Sequence, residues 1–301
     1  ADKDEKVLKW LSKTVLGAVL FAFALSFQIK ANHPQITYYL AIMIFIYAIA
    51  LLIYTCVSKE RRKQLGKFFA ASALLLVIGC VGIATNLNKL IPTYEYSQYS
   101  MRGGSELRQA DESQDAEGLE LDYATAWSYG IDETLNILIP NLNGGSSSGD
   151  PNLKHSETRD LLYQAGQPHI DEVMKSLPLY WGPQPFTAGP MYMGAISVFL
   201  FFLGLFLCDN KDKWWILTAT VLAILLAWGS HFMEFTKLWY DYAPMYNKFR
   251  TVSMALVVLQ ITLPLLGILA MDKVLKSRTD RKKTSVALIL SYAICAGVCL
   301  L

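Results

Sequence analysis

The chain has 301 residues, 53% of them hydrophobic and 17% charged, with a mean hydropathy of +0.30 and a formal net charge of +2. Soluble domains carry about 25% charged residues, so this composition excludes an ordinary water-soluble globule and points to the membrane class. A net charge of +2 by itself says nothing about nucleic acid; the distribution of the charge is the informative part, and no nucleic-acid partner is expected.

Seven apolar runs, 7–29, 36–57, 68–87, 190–208, 214–229, 251–271 and 285–301, have the length needed to cross a hydrocarbon core of about 30 Å. Each should be helical, because lipid offers the backbone no partner and the runs lack the alternation of barrel strands. The expected fold is an all-α polytopic membrane protein with about seven transmembrane helices. Its expected parts are a three-helix block (1–91), a large, partly helical extracytoplasmic segment (92–189) between the third and fourth spans, and a four-helix block (190–301). The sequence starts at Ala1 rather than Met and stops inside its last apolar run, so it reads as an internal piece of a longer protein.

Lys and Arg set the orientation. Stretches 1–13, 59–67, 209–213 and 272–284 carry four, five, two and six basic residues, against one in 30–35 and three in 230–250. The first set belongs in the cytoplasm, which puts 92–189 outside. KERRKQLGK and KSRTDRKK are then topology signals. The five cysteines, Cys56, Cys80, Cys208, Cys295 and Cys299, all lie in or beside apolar runs. The long polar segment has none, so no disulfide framework is expected there.

Segment 92–189 holds 15 Asp and Glu against 5 Lys and Arg. Residues 109–118 are polar and acidic and read as a mobile loop. Ile131, Leu135, Leu138 and Ile139 recur at helical spacing, with Asp132, Glu133 and Asn136 opposite and Pro140 beyond. They predict a short amphipathic helix lying in the membrane interface. NGGSSSGDP reads as a linker: it lacks the lysine and strand context of a phosphate loop. A helical pattern returns over 159–177, broken at 166–168.

His33, His155, His169 and His231 all fall on the outer side, but no two share a ligand-like spacing, and solvated or capping roles are favoured. The neighbours Asp132 and Glu133 point in different directions on a helix, so they do not make a glycosidase pair. Outer aromatics such as Tyr94, Trp127, Tyr180, Trp181 and Tyr246 read as an interfacial belt, though stacking on sugar rings fits them as well. The most specific outer feature is YNKFR. It places Lys248 and Arg250 at the mouth of a span, where they can snorkel or clamp a phosphate at headgroup depth.

NHPQITYYL, SMRGGSEL, ATAWSYG, PNLNGG, YWGPQPFTAGPMYMGAI and YNKFRTVSM occur in this order along essentially the whole chain. Together they resemble the YfhO family of bacterial membrane proteins, which is similar to the glycosyltransferase C superfamily. The resemblance implies a multi-pass protein of the bacterial cytoplasmic membrane. It would transfer a sugar from a polyprenyl-phosphate carrier, a membrane lipid, to an outer glycan, polymer or protein. Such enzymes carry their catalytic carboxylate in the first outer loop, upstream of Ala1, so no catalytic residue is assigned here. Lys248 and Arg250 are expected to bind the phosphate, with Arg102, Trp127, Glu133, Asn143 and Trp181 lining the outer cavity. No metal ligands are assigned, although a divalent metal is compatible with the chemistry. A non-enzymatic glycan or lipid transporter and an envelope-assembly scaffold stay open as alternatives.

Overall fold

The computed structural model describes residues 2–101, 118–148, 156–276 and 280–300. The chain is all-helical among these residues, and no strand occurs beyond one antiparallel bridge between Gly144 and Tyr180. Six helical stretches among them are long and apolar enough to cross a membrane: Val7–Lys30, Pro34–Val57, Leu65–Ala84, Asn210–Tyr242, Val252–Leu275 and Arg281–Cys299. Most of the acidic loop 109–118, together with Arg102 and His155, lies outside the described residues.

The chain divides into two compact units, Ala1–Leu119 and Glu120–Leu301. The first contains α1 (Asp2–Lys30), α2 (Pro34–Val57), α3 (Leu65–Ala84) and α4 (Leu87–Gln98). Small residues let α1 and α3 approach closely: a Cβ on Gly82 would lie 2.8 Å from the Ala22 carbonyl oxygen. At the end of this contact the Asn86 amide donates to the carbonyl and hydroxyl oxygens of Ser26, each at 3.2 Å. Lipid gives helices no hydrophobic reason to associate, so close small-residue packing and interhelical hydrogen bonds do that work. Val15, Leu16, Val19, Leu20, Phe23 and Phe27 stay exposed on α1. An apolar face of that size in a folded chain requires an apolar surrounding.

The second unit contains α5 (Leu121–Thr125), a 3-10 turn Asp132–Ile137, α6 (Glu157–Gln164), α7 (Ile170–Ser176), α8 (Ala195–Leu207), α9 (Asn210–Trp228), α10 (Met233–Tyr242), α11 (Leu259–Leu275) and α12 (Arg281–Cys299). The break between α6 and α7 falls where the sequence places it, with Gly166 and His169 both at positive φ. Helix α11 is the centre of the unit. Leu259, Leu263, Leu266 and Ala270 are buried along it, against α8 and α9. Gly204 of α8 receives Leu266, and Gly267 of α11 receives Leu200; a Cβ on either glycine would come within 2.5–2.9 Å of that leucine. Thr220 donates to Thr262 at 2.8 Å across the buried α9–α11 contact.

The apolar run 190–208 becomes helical only from Ala195, giving 13 residues, or about 20 Å at the helical rise, short of a bilayer core. Pro190 and the positive φ of Gly189 and Gly194 keep residues before Ala195 out of the helix.

The packing predicts a difference between two glycines of this unit. Gly204→Ala should lower stability by about 1–3 kcal/mol through overpacking against Leu266. Gly297→Ala should be silent, because no atom lies within 4 Å of a Cβ there. Thermal unfolding in detergent compares the two; equal midpoints would contradict the α8–α11 contact.

Candidate functional site

Residues 124–129 are fastened by backbone hydrogen bonds to the end of α9 and to the start of the 3-10 turn Val252–Val258 that leads into α11. The Tyr129 N–H donates to Ala227 O at 2.8 Å, Thr251 N–H to Ala124 O at 3.1 Å and Ser253 N–H to Trp127 O at 3.3 Å. Trp228 Nε1 adds a bond to Thr134 Oγ1 at 2.9 Å. These contacts fix where Arg250 emerges at the start of the Val252–Leu275 span.

Arg250 is exposed, and its Nη1 donates to the Tyr123 hydroxyl at 2.7 Å. Its guanidinium carbon stands 5.9 Å from the ring centres of both Tyr123 and Trp127. Trp127 is held in turn: its Nε1 donates to Phe186 O at 3.1 Å, and the two rings meet edge-on at 5.0 Å. A guanidinium placed over aromatic rings is attracted to their faces, and one hydrogen bond leaves the rest of its fork for an anion. Lys248 is half-buried on the 3-10 turn Tyr246–Lys248, two residues before Arg250.

A second cluster surrounds Glu133, which is 0% exposed. One carboxyl oxygen accepts from the Tyr180 hydroxyl at 2.6 Å, the other from Gly130 N–H at 2.7 Å, and Gln184 Nε2 approaches both at 3.3–3.4 Å. Asn136, also fully buried, donates to Asn143 Oδ1 at 2.6 Å and accepts from Asn143 N–H at 3.2 Å. Asn143 Nδ2 reaches Asp132 Oδ2 at 2.7 Å. Gly182 closes the site from above, since any Cβ there would collide with the Tyr180 hydroxyl and fall 2.6 Å from Glu133 Oε1.

This arrangement corrects the predicted amphipathic helix. Residues 132–137 form a 3-10 turn, not an α-helix, and its buried residues are Glu133, Asn136 and Ile137. Ile131, placed on the buried face by the helical reading, is 52% exposed. At three residues per turn, positions 133 and 136 share a face, and hydrogen bonding makes that polar face the inner one. The linker reading of NGGSSSGDP also fails over 143–148. Gly145 N–H donates to Leu179 O, Trp181 N–H to Asn143 O and Ser147 N–H to Thr187 O. Gly144 adopts φ +81°, and a Cβ there would lie against Leu179 O and the Trp181 ring.

The structure therefore brings Trp127 and Arg250 together and ties Asn143 to Asn136 and Asp132, which share the 3-10 turn with Glu133, with Trp181 joined to Asn143 through the backbone and itself 80% exposed. The enclosed Glu133 carboxyl meets the chain's own donors and lines no open cavity. Tyr123, Tyr180, Gln184 and Asn136 complete these clusters without having been singled out as site residues. Their signals in the sequence are the i, i+3 pairing of two polar residues and a glycine beside an aromatic residue in YWGPQ. His169 faces Glu172 and His231 the Trp228 carbonyl. No group of three or more His, Cys, Asp and Glu able to hold a metal occurs among the described residues.

Burial pushes the Tyr180 phenol above its ordinary value of 10.0, and its bond to Glu133 adds to the shift. Tyr129 is raised by burial first and by the nearby Glu133 charge second. Comparison of the chain with protein-family profiles, with curated proteins and with solved structures returns no match.

Two outcomes follow from this chemistry. Tyr180→Phe leaves an enclosed carboxyl oxygen short of a donor and should cost about 1–3 kcal/mol, read from chemical unfolding. The raised phenols also set a pH dependence. Their contribution to stability is complete below the unfolded value of 10.0. It is lost as pH rises from there toward the folded values, because the unfolded state then binds fewer protons. Tyrosinate absorbance of the folded chain should show late-titrating phenols, one fewer in Tyr180→Phe.

Proposed function

We propose that the chain belongs to a bacterial cytoplasmic-membrane glycosyltransferase that takes a sugar from a polyprenyl-phosphate carrier and places it on an outer glycan, polymer or protein. The observation that carries the reading is Arg250, a cation at the mouth of a membrane-crossing stretch, held by Tyr123 and Trp127 with donors to spare. In the transfer, an acceptor hydroxyl gives its proton to a base and attacks the anomeric carbon. The bond to the phosphate breaks, and the departing phosphate must be met by preorganised positive charge. Arg250 and Lys248 would supply that charge at lipid-phosphate depth. The half-buried Trp127 and exposed Trp181 would give the sugar apolar faces. Glu133 and Asn143 would hold the loop in place from within, and Arg102 and the base are assigned no geometry.

The motif resemblance to the YfhO family and the Lys and Arg asymmetry support the same assignment, with residues 92–189 outside and 190–208 as a seventh crossing. A lipid or glycan transporter would use the same cation without transfer. The interiors of the membrane-crossing stretches, 14–29, 34–57, 68–84, 214–229, 252–271 and 284–299, hold no Asp, Glu, Lys or Arg, which speaks against ion coupling.

Arg250→Lys keeps charge but loses the planar fork, so it should already weaken binding of polyprenyl phosphate. Arg250→Ala should cost about 2–4 kcal/mol of transition-state stabilisation. Folding should be preserved, because the side chain is exposed. Transfer and lipid binding by the full-length protein in membranes measure both, and normal values in Arg250→Ala and Lys248→Ala would reduce these residues to interface anchors. Loss of binding together with loss of transfer supports the enzyme; loss of binding in a protein that shows no transfer supports the transporter. Topology has its own check. With the native cysteines replaced, Ser148→Cys should react with an impermeant thiol reagent in intact spheroplasts, and Lys276→Cys only after permeabilisation.

A further inference from the structure

Helices α8 and α11 leave an open notch between them, and its depth in the membrane follows from helix geometry. Lys273 of α11 is paired with Asp209, just beyond α8, at 2.6 Å, which marks one membrane boundary. Ala195 and Gln260 both lie about 20 Å from that boundary at 1.5 Å per residue. In a hydrocarbon core of about 30 Å both are therefore inside the bilayer, about 10 Å from its other face.

The notch has a volume of about 290 Å³, and its lining includes Tyr192, Ser197, Gln260 and Pro264. Gln260 is exposed, and neither its amide nor the Ser197 hydroxyl has a hydrogen-bond partner among the described residues. Pro264 has no N–H to give the Gln260 carbonyl four residues earlier. Two side-chain donors, the Gln260 amide and the Ser197 hydroxyl, thus line the notch where hydrocarbon offers them nothing, and bare polar groups at that depth are costly. The lining contains no charged residue, so an anionic phosphate is poorly matched, while a neutral acceptor is well matched.

We propose that this notch holds the neutral glycerol-ester region of a membrane lipid entering sideways from the bilayer. The Gln260 amide and Ser197 hydroxyl donate to an ester carbonyl, and the acyl chain lies along Leu259 and Leu263. The space is that of about ten water molecules, enough for the ester-bearing part of one lipid. The proposal depends only on the chain crossing a membrane, not on the transfer reaction.

The test uses the chain in bilayers of diester phosphatidylglycerol containing a trace of the same lipid with a diazirine early in one acyl chain. Photolabelling should concentrate on peptides covering Tyr192–Ser197 and Leu259–Pro264. Excess unlabelled diester lipid should suppress it several-fold and the diether analogue, which lacks the carbonyl, much less. Gln260→Leu and Ser197→Ala should each reduce it several-fold with unchanged thermal unfolding. If Gln260→Leu fails to fold, Ser197→Ala and the wild-type competition still decide. Labelling no stronger than around the exposed Phe45 of α2, or equal competition by the diether lipid, overturns the proposal and leaves the notch to water.

Discussion

Enclosing a carboxyl group costs several kcal/mol unless its oxygens find donors, and Glu133 is fully enclosed. Its solution recruits residues from two places: Gly130 from the preceding turn, and Tyr180 and Gln184 from a stretch about fifty residues on. Meeting that requirement pulls the 179–187 stretch over the 3-10 turn. The pairing of 143–148 with Leu179, Trp181 and Thr187 then follows in register. Phe186 is thereby delivered to Trp127, and Trp127 to Arg250. The exposed cation is placed by an enclosed acid it does not touch.

The helices obey a different rule. Within the apolar stretches, packing is set by small residues that accept a neighbour's leucine or backbone, and by hydroxyl and amide bonds such as Thr220–Thr262 and Asn86–Ser26. Shape decides these contacts, so a methyl group in the wrong place matters more than the loss of a surface charge. The charged residues collect at the ends, as in the Lys273–Asp209 pair, where Lys273 holds Asp209 below its ordinary range.

Long apolar runs are legible because bilayer thickness fixes a helix length, and six of the expected seven stretches have it. The run at 190–208 is apolar enough, but Pro190, Gly189 and Gly194 take its first turns out of the helix, a conformational fact that hydropathy does not carry. Residues 131–139 were misread for a related reason. Either period puts Glu133 and Asn136 on one face; hydropathy assigns that polar face to water, whereas donors from Gly130, Tyr180, Gln184 and Asn143 make it the buried one. The glycines of NGGSSS suggested slack, yet Gly144 is there because a backbone and an indole come too close for a side chain. Arg250 was legible from its place before an apolar run. Its partner Tyr123, 127 residues away, was not, because nothing local links them.

The stitching of residues 124–129 to Ala227, Thr251 and Ser253 also bears on how the molecule is made. A ribosome adds about 5–20 residues per second, so the early segment waits on the order of ten seconds before its last backbone partners are synthesised. Through that interval its carbonyl groups and the Tyr129 amide are open to other strands and to water. Biogenesis of this protein is therefore a problem of custody: the segment must be kept from aggregating until the later helices are inserted.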